Sequence, residues 1–291
     1  MAEPFAHAFL NGRYLPIAEA RVPALDRGFL FGDSVYEVVP VYGGNLFLLD
    51  AHLDRLARSL REIRLPDPFN REEWVDVMTS LIERNGGGDM AVYVQVSRGA
   101  DVGRDHRIPR ELPATVFAMA QPFNGVSDAV RKTGVAAITL DDTRWSRCDI
   151  KATALLANVL LRAAAEDADA QEAILVRNGR VTEGASSSVF MIEDGAARTP
   201  PNGNELLPGT TRDLVVELAR NAGISVSEAH FTPAELARAD EIWICSAMRE
   251  VIPLTKLDGK AVGGGRPGLL WQRVYAAYQE YKQRVSAGAA A

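Results

Sequence analysis

Short apolar runs separated by tight turns constrain the fold of this chain more than any other feature. Residues 8–10 and 13–15 flank Asn11-Gly12, and residues 35–42 and 46–49 flank Gly43-Gly44-Asn45. Both are hairpin spacings, in which Gly and Asn supply the positive φ that a tight antiparallel turn requires. Runs 90–97 and 114–120 read as further strands. Leu53, Leu56, Leu60 and Ile63 recur at helical spacing behind Asp50, a candidate N-cap; Trp74, Val77 and Leu81 do so behind Asn70.

The second part of the chain mixes strands and helices. Residues 135–140 predict a strand and 153–165 an apolar helix. Residues 173–176 and 181–183, around Asn178-Gly179, predict a hairpin. A helix over 210–222 is closed by Gly223, and Thr232-Pro233 with Glu235 starts a short one. Residues 241–246 read as a buried strand, Asp258-Gly259 as a turn, and 269–285 as a long terminal helix. Residues 121–128, with Pro122 and Gly125, are the candidate linker, which divides the chain into domains 1–120 and 129–291. No internal repeat is visible, and the Ala-rich tail after Ser286 is predicted to fray.

Composition narrows the function. With 291 residues, 47% hydrophobic and 24% charged, the chain is an ordinary soluble globular protein with ample surface to bury. A net charge of −6 argues against a nucleic-acid partner. No apolar run approaches the roughly 20 residues that cross a bilayer, so no membrane partner is expected. The N-terminus lacks the basic and then apolar pattern of a signal peptide. Cys148 and Cys245 are far apart, and His7, His52 and His230 have no ligand spacing, so no metal is expected. Two unpaired cysteines fit a reducing, cytoplasmic setting. Asn85-Gly86-Gly87-Gly88 lacks a following Lys-Ser/Thr and reads as a loop.

Only five of the 32 basic residues are lysines: Lys132, Lys151, Lys256, Lys260 and Lys282. Four sit in polar or turn settings. Lys151 stands between Cys148-Asp149-Ile150 and Ala154-Leu155-Leu156. Two readings are open there: a stem packed on apolar surface with its head in water, or a partly desolvated amine serving as a nucleophile. Glu183 closes a strand ahead of Gly184-Ala185-Ser186-Ser187-Ser188. It is either a solvated turn carboxylate or the partner of a pyridine ring nitrogen, which keeps that nitrogen protonated. Leu207-Pro208-Gly209-Thr210-Thr211-Arg212-Asp213 runs straight into a helix. Gly209 would let the backbone turn tightly there, and the segment reads either as a phosphate-binding helix start or as a plain Thr N-cap.

Taken together and in order, these blocks resemble the fold-type IV pyridoxal-phosphate enzymes, most closely the D-amino-acid aminotransferase branch. The resemblance runs from about Arg13 to the last helix. It rests on the block from Asp26 to Glu37 (DRGFLFGDSVYE), His52-Leu53-Asp54-Arg55-Leu56, Arg147-Cys148-Asp149-Ile150-Lys151, the block from Val181 to Phe190 (VTEGASSSVF), and the block from Leu207 to Asp213. It implies an α+β fold of two domains, a smaller N-terminal α/β domain and a larger C-terminal mixed, β-barrel-like domain with helices. It also implies pyridoxal 5'-phosphate as cofactor, a homodimer, and an active site in the cleft between domains.

The same resemblance implies residue roles. Lys151 matches the lysine that binds the cofactor covalently and then shuttles the proton between substrate and cofactor. Glu183 matches the pyridine-nitrogen partner. Arg55, Thr210 and Thr211 match phosphate ligands. Ser246 and Ala247 match a further phosphate contact; Ala247 replaces a hydroxyl residue, so only its amide could serve. Arg144 matches a position near the cofactor's phenolic oxygen. Tyr36, Arg104 and His106 match the grip on the substrate α-carboxylate, with the Arg-x-His loop reaching from the partner subunit. The implied reaction is ping-pong transfer of an amino group between a D-amino acid and a 2-oxo acid, such as D-alanine and 2-oxoglutarate. The alternatives on the same scaffold are a branched-chain or R-selective amine aminotransferase, or an aminodeoxychorismate lyase.

Overall fold

The computed structural model describes residues 3–123 and 125–288. Asn124, inside the predicted linker, and the tail beyond 288 lie outside the described residues. The chain divides into two compact units: one of residues 1–124, 150–155 and 282–291, the other of residues 125–149 and 156–281.

In the first unit, β1 (His7–Leu10) and β2 (Arg13–Pro16) form the first predicted hairpin, with Asn11 and Gly12 both at positive φ. A single turn of helix, α1 (Arg27–Phe31), follows, capped by the Asp26 carboxylate on the Gly28 amide. β3 (Ser34–Tyr42) and β4 (Asn45–Leu46) make the second hairpin. Then come α2 (Leu49–Glu62), α3 (Arg71–Arg84), β5 (Met90–Ser97) and β6 (Thr115–Pro122). The sheet order is β2-β1-β6-β5-β3-β4, with every pairing antiparallel. Leu56 and Leu60 of α2 and Trp74 and Met78 of α3 share one core with Val39 and Val92 of the sheet. Each such side chain contributes about 1.5–3 kcal/mol through burial.

Two expectations are corrected in this unit. Asp50 does not cap α2: Leu48 occupies that position in the left-handed region at φ 52°, and Asp50 lies in the first turn, where its charge complements the helix dipole. The second strand of the hairpin is also short, because the chain after Leu46 turns into α2. Asn70 does cap α3, in a reciprocal capping box with Glu73.

Residues 150–155 form an irregular segment, with tight turns at Ile150–Ala152 and Thr153–Leu155, whose middle lies along β3. The Tyr36 amide donates to the Lys151 carbonyl at 3.0 Å, the Thr153 amide to the Ser34 carbonyl at 3.0 Å, and Val35 pairs with Ala152. Ile150 joins the core of this unit. The helix predicted over 153–165 therefore begins only at Leu156. Pairing with a neighbouring strand wins over helical periodicity, and the segment belongs with the first unit although it falls within the predicted 129–291 domain.

The second unit contains α4 (Asp128–Thr133), β7 (Val135–Asp141), α5 (Leu156–Asp167), β8 (Glu172–Arg177), β9 (Arg180–Gly184), β10 (Ser188–Glu193), β11 (Ala196–Thr199), α6 (Thr210–Asn221), β12 (Val226–Glu228), α7 (Pro233–Leu236), β13 (Glu241–Ser246), β14 (Glu250–Leu257) and β15 (Lys260–Ala261). α8 (Leu269–Ser286) closes the chain, its last residues counting with the first unit. The sheet order is β12-β11-β10-β13-β14-β7-β8-β9, with β15 on β14. Parallel pairs β11/β12, β14/β7 and β7/β8 make it mixed.

Chain reach requires this sheet to curl. β9 and β10 lie five strand spacings apart in the order, about 24 Å if the sheet were flat. Only residues 185–187 connect them, which extend the chain from Gly184 to Ser188 by at most about 14 Å. Bending the sheet into a half-barrel closes that gap, and the end of β9 comes beside the start of β10.

Candidate active site

The first unit presents Lys151 opposite Tyr36. Backbone pairing with β3 sets the lysine in place, and its amide also donates to Ser59 Oγ at 3.3 Å. Lys151 Nζ lies 4.2 Å from the centroid of the Tyr36 ring, which is itself stacked on Tyr93 at 5.6 Å. Burial pushes the Tyr93 phenol up to about 12, so it is a hydroxyl donor at neutral pH, directed at Gln95 Oε1.

Behind this pair is a buried charge cluster. Glu37, on the inward face of β3, accepts Arg55 Nε and Nη2, both at 2.8 Å, and His52 Nδ1 at 2.7 Å. All three side chains are at most 9% exposed. Burial disfavours the Glu37 charge, yet the Arg55 guanidinium and the His52 hydrogen bond hold its carboxyl well below the usual carboxylate range. A carboxylate can only accept, so His52 carries its proton on Nδ1. Burial pushes the His52 pKa down, with Arg55 and Lys151 adding to the effect, and the ring is neutral. Arg55 thus spends two of its donors on Glu37.

Arg104 and His106 lie elsewhere in the same unit. Both are exposed and both rest on Phe31: Arg104 Cζ is 5.0 Å from the ring centroid, and the His106 and Phe31 centroids are 5.1 Å apart. Among the described residues, no hydrogen bond, ion pair or ring contact joins either of them to Tyr36 or Lys151 in the same chain.

The second unit gathers Glu183, Arg144 and the start of α6. Glu183 is 5% exposed at the end of β9. Its Oε1 accepts Arg144 Nη1 at 2.5 Å and the Leu207 amide at 3.2 Å. No hydrogen bond among the described residues reaches its Oε2. Burial pushes this carboxyl up to about 7, against the pull of Arg144 and the Leu207 amide. Arg144 is gripped in turn by Asp142, with Nε and Nη2 both at 2.9 Å, and Arg177 adds a second cation to Asp142 at 3.0 Å. Arg144, expected near a phenolic oxygen, is therefore engaged at Glu183.

Thr210 and Thr211 open α6, whose N-cap is Gly209 with no side-chain cap. The N-cap position is therefore Gly209 rather than a threonine, and Asp213 lies in the first turn. The constraint at Gly209 is space rather than turning. Its φ of −85° is ordinary, and a Cβ there would lie 2.7 Å from Ser188 Oγ and 3.0 Å from Arg212 Cβ, so a larger residue needs the Ser188 hydroxyl to move aside. Ser188 pairs with Cys245 across β10 and β13, which brings Ser246 and Ala247, at the end of β13, to the same end of the sheet.

Sequence reading missed Glu37, His52 and Asp142. Glu37 and His52 were visible inside quoted blocks, one beside Tyr36 and the other three residues before Arg55 on the same helix face. Asp142 carried no local signal.

The first unit holds an amine on an aromatic face. The second holds a buried carboxylate with one oxygen that no described residue bonds, and a helix start whose amides and dipole favour an anion. Residues 34–257 match the family described as Amino-transferase class IV. The chain is 41% identical to a D-alanine aminotransferase of Bacillus licheniformis over 92% of this chain and 94% of the relative. It is 38% identical to one from Staphylococcus haemolyticus over 94% and 96%. Among solved structures, the branched-chain amino acid aminotransferase of Thermobaculum terrenum, in its PLP-bound form, superposes with a TM-score of 0.84 at 25% identity, covering 98% of this chain and 95% of that one.

Proposed function

The chain belongs to the class IV aminotransferases, and on that premise we infer that it moves an amino group between a D-amino acid and a 2-oxo acid, with pyridoxal 5'-phosphate as cofactor. The observation that carries the substrate class is 41% identity to a D-alanine aminotransferase along nearly the whole of both chains. The branched-chain enzyme shares the fold at 25% identity, and the closer kinship decides between the two readings. The test is a half-reaction screen of D- and L-amino acids, following loss of the visible band of the bound cofactor. D-alanine or D-glutamate should bleach it well ahead of L-leucine or L-valine; the reverse order would reassign the substrate.

When bound, the cofactor supplies an aldehyde that takes up the amine and an electron-poor ring that accepts electrons from the substrate α-carbon. The protein's own groups do the rest. Lys151 Nζ holds the cofactor covalently and carries the proton removed from the α-carbon. Glu183, whose Oε2 no described residue bonds, would hold the ring nitrogen protonated. Arg55, the Thr210-Thr211 helix start, the Ser246 hydroxyl and the Ala247 amide hold the phosphate. Arg144, held by Glu183 and Asp142, would lie near the cofactor's phenolic oxygen. Tyr36, Arg104 and His106 take the substrate carboxylate by charge-assisted hydrogen bonds.

The Arg55 assignment has a stability counterpart. Arg55→Ala would leave Glu37 buried with only a neutral imidazole. It is expected to destabilise the cofactor-free protein by about 3–5 kcal/mol, the range for breaking a buried ion pair, and to release cofactor on dialysis. The Glu37 pKa is depressed, so the pair stabilises above the ordinary carboxylate range and its contribution is lost as pH falls through the folded value. Denaturant unfolding against pH, wild type beside variant, checks both signs; full cofactor retention after dialysis would remove Arg55 from the phosphate site.

A homodimer is the proposed assembly. Phe29 is 77% exposed, and Leu156, Val159 and Leu160 make an uncovered apolar stripe on α5, the kind of surface a second copy covers. No helix among the described residues is long and apolar enough to cross a membrane. Cys148 and Cys245 are both buried and free, which supports a cytoplasmic location.

A further inference from the structure

Arg104 and His106 stand on residues 98–114, a stretch with no helix or strand and only an isolated bridge at Ala100. Both side chains are exposed, yet the backbone between them is tied down. Arg27, 3% exposed on α1, donates Nη1 to the Asp105 carbonyl at 2.6 Å, and its amide donates to the Gly99 carbonyl at 2.8 Å. The Asp105 carbonyl lies midway between Arg104 and His106, so one bond there orients both. The same guanidinium lies over Phe31, 4.9 Å from its centroid, on the ring that Arg104 and His106 also touch. Asp33 fixes Arg27 through Nε at 2.9 Å, while Arg98 grips both oxygens of Asp33 at 2.8 and 2.9 Å.

We propose that Arg27 is a positioning residue for the substrate carboxylate: it holds the Arg104–His106 loop through the Asp105 carbonyl, with Phe31 as the platform on which the two ligating side chains lie. The proposal rests on the reading that Arg104 and His106 bind that carboxylate. An exposed arginine on an irregular loop samples many rotamers and must be ordered at each binding event. A loop held in place beforehand spares the substrate that ordering, which appears as affinity rather than as chemistry. Arg27 touches neither Lys151 nor Tyr36 in its own chain, so its removal acts on KM rather than kcat.

Arg27→Met is the test. It keeps the apolar stem, and Asp33 retains both hydrogen bonds from Arg98, while Asp101 loses its 3.6 Å ion pair with Arg27 Nη1. In the holoenzyme, KM for D-alanine should rise about tenfold or more, in line with loss of a charge-assisted hydrogen bond, with kcat within about threefold. Trypsin should nick the loop faster at Arg104, Arg107 or Arg110. Unchanged KM, a fall in kcat alone, or a raised KM without faster nicking overturns the proposal. Should Arg27→Met fail to fold, Phe31→Leu keeps apolar volume without the ring; it should raise KM likewise, and an unchanged KM in that variant overturns the platform. Arg104→Ala run in parallel separates the two levels. If it leaves KM for D-substrates unchanged, the carboxylate reading fails and this inference falls with it. If it raises KM while Arg27→Met does not, only the positioning role fails.

Discussion

Lys151→Ala should yield a protein without the visible band of covalently held cofactor and with transamination lowered about 10,000-fold, the upper end of what a positioned proton-transfer group contributes. No other lysine can replace it. Lys132, Lys256 and Lys260 are exposed, and Lys282 rests on Tyr42 at the last helix. Lys151 is held by its carbonyl on the Tyr36 amide, with its amine over the Tyr36 ring. Borohydride treatment of the wild type, followed by peptide mapping, should place the cofactor on Lys151. Label on a different lysine, or normal turnover in the alanine variant, would sink the assignment.

Glu183→Gln should keep the fold and the cofactor yet lower turnover by about 100- to 1000-fold, comparable with losing one charge-stabilising donor at a reacting centre, about 3–4 kcal/mol. The amide is isosteric and its oxygen can still accept from Arg144 and the Leu207 amide, so the substitution removes the negative charge. A pH signature accompanies it. Burial raises the Glu183 carboxyl from 4.5 to about 7 in the cofactor-free protein. A raised folded value stabilises below the unfolded pKa, and that contribution is lost as pH rises towards about 7. The difference of some two and a half pH units corresponds to roughly 3 kcal/mol at most. Thermal unfolding of cofactor-free wild type should thus weaken from about pH 4.5 to 7 relative to Glu183→Gln, which has no such group to ionise. Identical pH profiles for the two proteins would show that Glu183 does not titrate there.

The motifs were legible because their signals are local. Asn11-Gly12, Asn178-Gly179 and the Asn70 cap specify backbone geometry within four residues, and each forms as expected; Glu73 completes the cap as a box. The block from Asp26 to Glu37 was quoted for its resemblance, but its physical content is long-range. Asp26 caps α1 and takes the Thr115 hydroxyl, Arg27 ties Asp105, Asp33 takes Arg98, and Glu37 takes His52 and Arg55. Apart from the cap on α1, none of these partners is adjacent in sequence.

Residue order and turn chemistry were enough for the α+β class, the turns, the Asn70 cap, the Thr232–Glu235 box and, through the ordered blocks, the family, the cofactor and the lysine that stands apart from the other four. Those are properties of turn chemistry and local residue order, which survive without tertiary context. The tertiary structure alone decided that the middle of residues 150–155 lies along β3 rather than beginning a helix, because hydrogen bonds to that strand outweigh the helical periodicity of the segment. It alone decided that Arg144 grips Glu183, that Gly209 packs close beside Ser188, and that Arg55 is bound to Glu37. Each of these pairings is made by side chains or backbone brought together from distant positions, and burial sets its strength; neither the partner nor the degree of burial is written in neighbouring residues.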